Sequence, residues 1–126
     1  MRTEKTVDDL CQKWQALLRL RDWDIHVELF SAREFSEEDR QGEVFYDIST
    51  GQAIIHLLDV DAKLDTPFPY DLEKVLVHEL LHLHFAIFEP EQEDKLRHDL
   101  WERTVERMAK TMLLLYRQRN TEDLGR

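Results

Sequence analysis

His78 and His82 lie four residues apart, and Glu79 directly follows the first of them. The stretch His78-Glu79-Leu80-Leu81-His82 is an H-E-x-x-H pattern set in a largely apolar run, Lys74-Val75-Leu76-Val77 before it and Leu83 after it. On a helix, side chains four apart stand one turn above each other on the same face. The two imidazoles can then hold one metal ion, with Glu79 placed to take a proton from a water activated by that metal. The bland alternative is a core helix that carries two histidines. Buried imidazoles and a carboxylate would then need other polar partners.

A catalytic zinc site uses three protein ligands and leaves one position open. The third ligand has to come from another element packed on the motif helix. Glu102 and Glu106, one turn apart, interrupt the apolar part of the last helical segment beside Trp101, Val105 and Ala109. They are either ligand-bearing residues or two surface carboxylates next to Arg103 and Arg107. His98, one turn before Glu102, is a further candidate for the site. His84 follows His82 by two residues and points away from it on a helix. His26 and His56 read as strand residues.

These residues need elements to position them. Residues 4–21 form an amphipathic pattern, with Val7, Leu10, Trp14, Leu17 and Leu18 on one side. Residues 23–29 alternate, with Trp23, Ile25, Val27 and Leu29 against Asp24, His26 and Glu28, which predicts a half-buried strand. Residues 31–40 are an acidic connector. Residues 43–47 and 53–58 read as a hairpin around the turn chemistry of residues 47–52. Residues 59–69 are a loop stiffened by Pro67 and Pro69. The motif helix is expected over residues 72–88, capped by Asp71 and stopped by Glu89-Pro90. Leu76, Leu80, Leu83 and Ile87 make one of its faces. A long helix follows over residues 91–119, opening on Glu91, Glu93 and Asp94 and closing on Arg117 and Arg119, in accord with the helix dipole. Its stripe Trp101, Val105, Met108, Met112 and Leu115 should pack on the motif helix; a dimer seam is the alternative. The fold class predicted is α+β: an N-terminal helix, a small three-stranded, mostly antiparallel sheet, a central H-E-x-x-H helix and a long C-terminal helix, in a single domain over residues 1–126.

Composition narrows the function. The chain has 126 residues, 27 acidic against 17 basic, and a formal net charge of −10. Such a balance opposes non-specific binding to nucleic acid or to an anionic membrane. It also weighs against a metal-dependent nuclease. The single cysteine, Cys11, excludes an internal disulfide and a multi-cysteine zinc site. The N-terminus lacks an apolar signal core, and no run approaches the ~18 apolar residues of a membrane span. A soluble cytoplasmic protein, monomeric or a weak homodimer, is the expectation.

With these residues in view, the chain resembles the gluzincin-type, thermolysin-like zinc metallopeptidases, and in element order the compact one-domain zincins of prokaryotes and phages. In that family a glutamate on the helix after H-E-x-x-H is the third zinc ligand. An acidic residue four positions later holds the first motif histidine. Glu102, twenty residues after His82, falls at the ligand position and Glu106 at the supporting one. The resemblance implies Zn²⁺ on His78, His82 and Glu102, with Glu79 as general base. It also implies an extended peptide or protein substrate, laid along a sheet edge expected at residues 53–58. The family's Asn-Glu-x-x-Ser-Asp reads Trp101-Glu102-Arg103-Thr104-Val105-Glu106 here. No histidine follows Glu102, and Tyr116 is the one tyrosine there, so the family's oxyanion donor has no counterpart. The second expectation is therefore a catalytically weak or inactive zincin-like protein that binds a peptide or uses zinc structurally.

Overall fold

The computed structural model describes residues 4–35, 37, 40–59 and 70–124. Residues 60–69 of the expected proline-stiffened loop 59–69, and Ser36, Glu38 and Asp39 of the acidic connector, lie outside the described residues. The described elements are α1 (Glu4–Leu17), β1 (Asp24–Phe30), β2 (Gly42–Asp47), β3 (Gln52–Leu58), α2 (Leu72–His84) and α3 (Lys95–Leu124). Short 3-10 turns occur at Ala32–Glu34 and Ala86–Phe88. The class is α+β, as expected from the sequence. Among the described residues, no helix is long and apolar enough to cross a membrane.

Helix α1 ends four residues earlier than its apolar pattern suggests. Arg19 adopts a left-handed backbone, with φ of 60°. Its amide donates to the Ala16 carbonyl, and the Leu20 amide reaches back to Gln15 at 2.8 Å. These are the two bonds of a Schellman stop, and the buried Leu20 closes it. The stop is hard to see in sequence because glycine usually marks it. Leu17, expected on the buried face, is 52% exposed.

The sheet order is β1-β3-β2. β1 runs parallel to β3, pairing Ile25 with Ala53, and β2 runs antiparallel to β3, pairing Val44 with Ile55. Two expectations are corrected here. The sheet is mixed rather than mostly antiparallel. The strand 53–58 is central, and β1 and β2 are the two edges. The physical reason is burial: Ala53, Ile55, Leu57 and Leu58 are all buried, and so apolar a strand belongs between two neighbours. The β2–β3 hairpin itself forms as expected, with Gly51 taking φ of 69° at its turn.

Helix α2 packs on β2 and β3 and is flanked by α1 and α3. Leu72, Val75, Leu76, Val77, Leu80, Leu81 and Leu83 are buried, so the helix is enclosed on most sides. Its Asp71 cap accepts from the Lys74 amide at 3.2 Å. A second set of contacts anchors the same end. Glu73 accepts from the Trp14 indole at 2.6 Å and from Lys13 at 3.0 Å, while Arg117 bridges Asp71 and Glu73. The helix closes at His84, not at residue 88: the Phe85 amide caps Leu81 and the chain tightens into the 3-10 turn. Ile87 is consequently 73% exposed rather than part of the apolar face.

Helix α3 begins at Lys95, because the Asp94 side chain accepts from the Arg97 amide and caps it. Glu91 and Glu93 therefore precede the helix. At its other end it runs on to Leu124, past Arg117 and Arg119. The buried stripe is Val105, Ala109 and Leu113, edged by Met108, Met112 and Tyr116. Leu115, expected in that stripe, is 59% exposed.

Candidate metal centre

Helix spacing brings His78 and His82 to one face of α2, and α3 crosses that face with Glu102. The two Nε2 atoms are 3.2 Å apart. Glu102 places Oε2 3.2 Å from His78 Nε2 and Oε1 2.7 Å from His82 Nε2. Among the described residues this is the one group of three or more such side chains with the mutual spacing to hold a metal ion. A tetrahedral ion with ligands at ~2.0–2.1 Å has edges of about 3.3 Å between donor atoms, close to the spacing seen here. Two imidazole nitrogens and a carboxylate are also donors that suit zinc.

The surrounding contacts sharpen the fit. Glu106 lies one turn beyond Glu102 and sits 2.8 Å from His78 Nδ1. Its other oxygen accepts from Lys74 at 2.8 Å. With Nδ1–H donated to Glu106, a neutral His78 presents a lone pair at Nε2, toward the other two donors. His82 is less completely supported. Its Nδ1 is buried and has no hydrogen-bond partner among the described residues. Metal-bound histidines usually donate this second N–H to a carboxylate, a carbonyl or water.

Without a metal, protons hold the same cluster together. Burial disfavours a charged His78, but its bonds to Glu102 and Glu106 and the field of Glu79 outweigh that and raise its pKa to about 9. Hydrogen bonds from His78 and His82 hold the Glu102 carboxyl well below the usual carboxylate range. Burial pushes Glu79 the other way, upward, against the opposing pull of His78 and His82. An upward-shifted carboxylate is a better proton acceptor near neutral pH.

Glu79 is only 7% exposed and lies under the backbone of β2. A Cβ built on Gly42 would stand 3.1 Å from Glu79 Oε2 and 2.5 Å from Val75 Cγ1. Here the edge strand and the motif helix approach closely because residue 42 has no side chain. From Gly42, β2 runs alongside α2 to Tyr46, whose hydroxyl donates to Glu89 beyond the end of that helix. The result is a cleft of about 1010 Å³ between β2, α2 and α3, with the triad and Glu79 in its wall.

The other histidines fall elsewhere. His98 lies edge-on to Trp101 at 5.8 Å, while Trp101 itself packs 4.5 Å from the His82 ring, so His98 stays outside the triad. His84 reaches the Leu18 carbonyl at 2.6 Å. His56 stacks on Phe30 and bonds Glu43, and His26 bonds Glu28. Gly42, Tyr46, Glu89 and Trp101 are cleft residues that sequence reasoning did not find. The one signal among them is at residue 101, where an aromatic stands in place of the asparagine of the gluzincins that the sequence resembles. Comparison with known proteins returns no match: no family model, no curated protein and no solved structure is similar to this chain.

Proposed function

We propose that this protein is a zinc-dependent metallopeptidase with a gluzincin-like ligand set. The observation that carries the reading is the convergence of His78 Nε2, His82 Nε2 and the Glu102 carboxylate in an open cleft, with Glu79 beside them. A zinc ion bound there supplies Lewis acidity, polarising a carbonyl and lowering the pKa of water toward ~7. Glu79 accepts a proton from the attacking water and returns it to the leaving amine. Glu106 holds the His78 tautomer through Nδ1. Among the described residues β2 pairs only with β3, so its outer edge supplies main-chain groups for an extended peptide. This role moves from residues 53–58, where the resemblance to zincins placed it, to Gly42–Asp47. The substrate is then an unstructured peptide segment or loop.

A second reading, a peptide-binding protein with a non-catalytic zinc, is favoured by one observation. Among the described residues Tyr46 is the one tyrosine lining the cleft, and its hydroxyl already donates to Glu89. The test is zinc content together with cleavage of an unfolded protein. Wild type is expected to carry one zinc and to cut. Glu79→Gln is expected to keep the metal and lose about 10²–10⁴-fold in kcat. Metal-free wild type overturns both readings; full activity in Glu79→Gln removes the mechanism.

A further inference from the structure

The two ends of the cleft differ in charge. At the Lys74 end, carboxylates face cations: Glu106 pairs with Lys74 at 2.8 Å, and Glu37 pairs with Arg40. Of the remaining lining carboxylates, Glu102 belongs to the triad, Glu79 is buried, and Glu43 bonds His56. Glu89, at the opposite end, is exposed and holds a neutral partner, the Tyr46 hydroxyl, on Oε1. Among the described residues no cation pairs with it. Trp101 also lines the cleft, against the His82 ring, and its indole donates to the Phe85 carbonyl, four residues before Glu89. An exposed carboxylate on the Tyr46 hydroxyl, in a cleft that Trp101 and Arg103 also line, with no ion pair to Glu89 among the described residues, suits a cationic side chain with an apolar stem.

Chain direction places this end relative to a cut. A peptide added antiparallel to β2 has its N-terminal half at Tyr46 and its C-terminal half at Gly42. Gly42 adjoins Glu79, the group that protonates the leaving amine, so the amine side of the scissile bond lies toward Gly42. The acyl side lies toward Tyr46 and Glu89. Resting on the peptidase reading above, we infer that Glu89, Tyr46 and Trp101 form a subsite for a lysine or arginine side chain on the acyl side of the cleaved bond. The net charge of −10 favours the approach of such basic substrates.

The test uses zinc-loaded protein and peptide pairs that differ only by Lys or Gln, at each of the first three positions on either side of the cut. One acyl-side position is expected to favour Lys by about tenfold in kcat/KM, with the advantage shrinking at high salt. The Lys/Gln ratio should fall to about one in Glu89→Gln, and Glu89→Lys should favour Glu over Lys. A flat wild-type profile, a preference on the amine side, or a ratio unchanged in Glu89→Gln overturns the subsite. If wild type cuts no peptide, the peptidase reading fails, and fluorescence anisotropy of the same peptides decides the subsite separately. Lys-dependent binding lost in Glu89→Gln upholds it; equal binding of the Lys and Gln peptides overturns it.

Discussion

Gly42→Ala isolates the contact between the edge strand and the proposed general base. The backbone at Gly42 is not left-handed, so alanine suits the strand and the effect is purely steric. The added methyl would sit 2.5 Å from Val75 Cγ1, where ordinary carbon contacts are ~3.5–4.0 Å. The Val75 side chain, β2 or α2 must therefore give way by about 1 Å. Overpacking of this kind costs about 1–3 kcal/mol. For a chain of this size each kcal/mol lowers Tm by roughly 4 °C. The same methyl would press Glu79 Oε2 from 3.1 Å. A catalytic group misplaced by ~1 Å loses on the order of 10²-fold in rate. Zinc content should hold, because the atoms nearest a Cβ at Gly42 belong to Val75 and Glu79, not to the three ligands. The assay is a thermal melt, zinc stoichiometry and peptide cleavage on the same samples. Val75→Ala in the Gly42→Ala background removes the struck methyl, and the pair should couple by more than ~1 kcal/mol. Wild-type Tm and kcat in Gly42→Ala, or strict additivity with Val75→Ala, would refute the contact.

Glu102→Ala should abolish stoichiometric zinc binding, whereas Glu106→Gln should retain the ion with about 10–100-fold weaker affinity; loss of zinc only in the Glu106 variant would reverse the two roles. In the metal-free protein, stability from His78 is full below its free value of 6.5 and is lost as pH rises through about 9. The depressed Glu102 carboxyl contributes stability above its free value of 4.5 and loses it on acidification. The metal-free Tm should therefore peak between these two values and decline toward pH 9. Zinc must displace the His78 proton, so apparent affinity should rise up to about tenfold per pH unit as pH climbs toward 9; calorimetry at several pH values checks both trends. Trp14→Phe keeps the ring but removes the 2.6 Å bond to Glu73, and is expected to destabilise the fold by about 1–3 kcal/mol in denaturant melts without altering zinc content.

Much of the site was legible because its rules are local. The spacing of His78 and His82 decides their common face within one helix, and Asp71 caps that helix through an amide three residues away. The hairpin at Gly51 is likewise a matter of a few backbone angles. Glu102 and Glu106 stand out because they interrupt the apolar part of the last helix, the family resemblance then assigns their roles, and both stand against His78 in the structure. The stripe on α3 was half legible. Val105 is buried, but the helical phase turns Leu113 inward and Leu115 outward.

What the sequence by itself determined, then, is a pair of imidazoles and a carboxylate on one helix, and strands and helices of the right number and order. Tertiary structure decided which strand borders the cleft, that β1 lies parallel to β3, and that Gly42, Tyr46, Glu89 and Trp101 share a wall with the triad. Periodicity within an element is set by the backbone and can be read from neighbouring residues. Strand order and cleft lining depend on which surfaces bury each other across dozens of residues, as β3 gains its central place only when β1 and β2 cover both its edges.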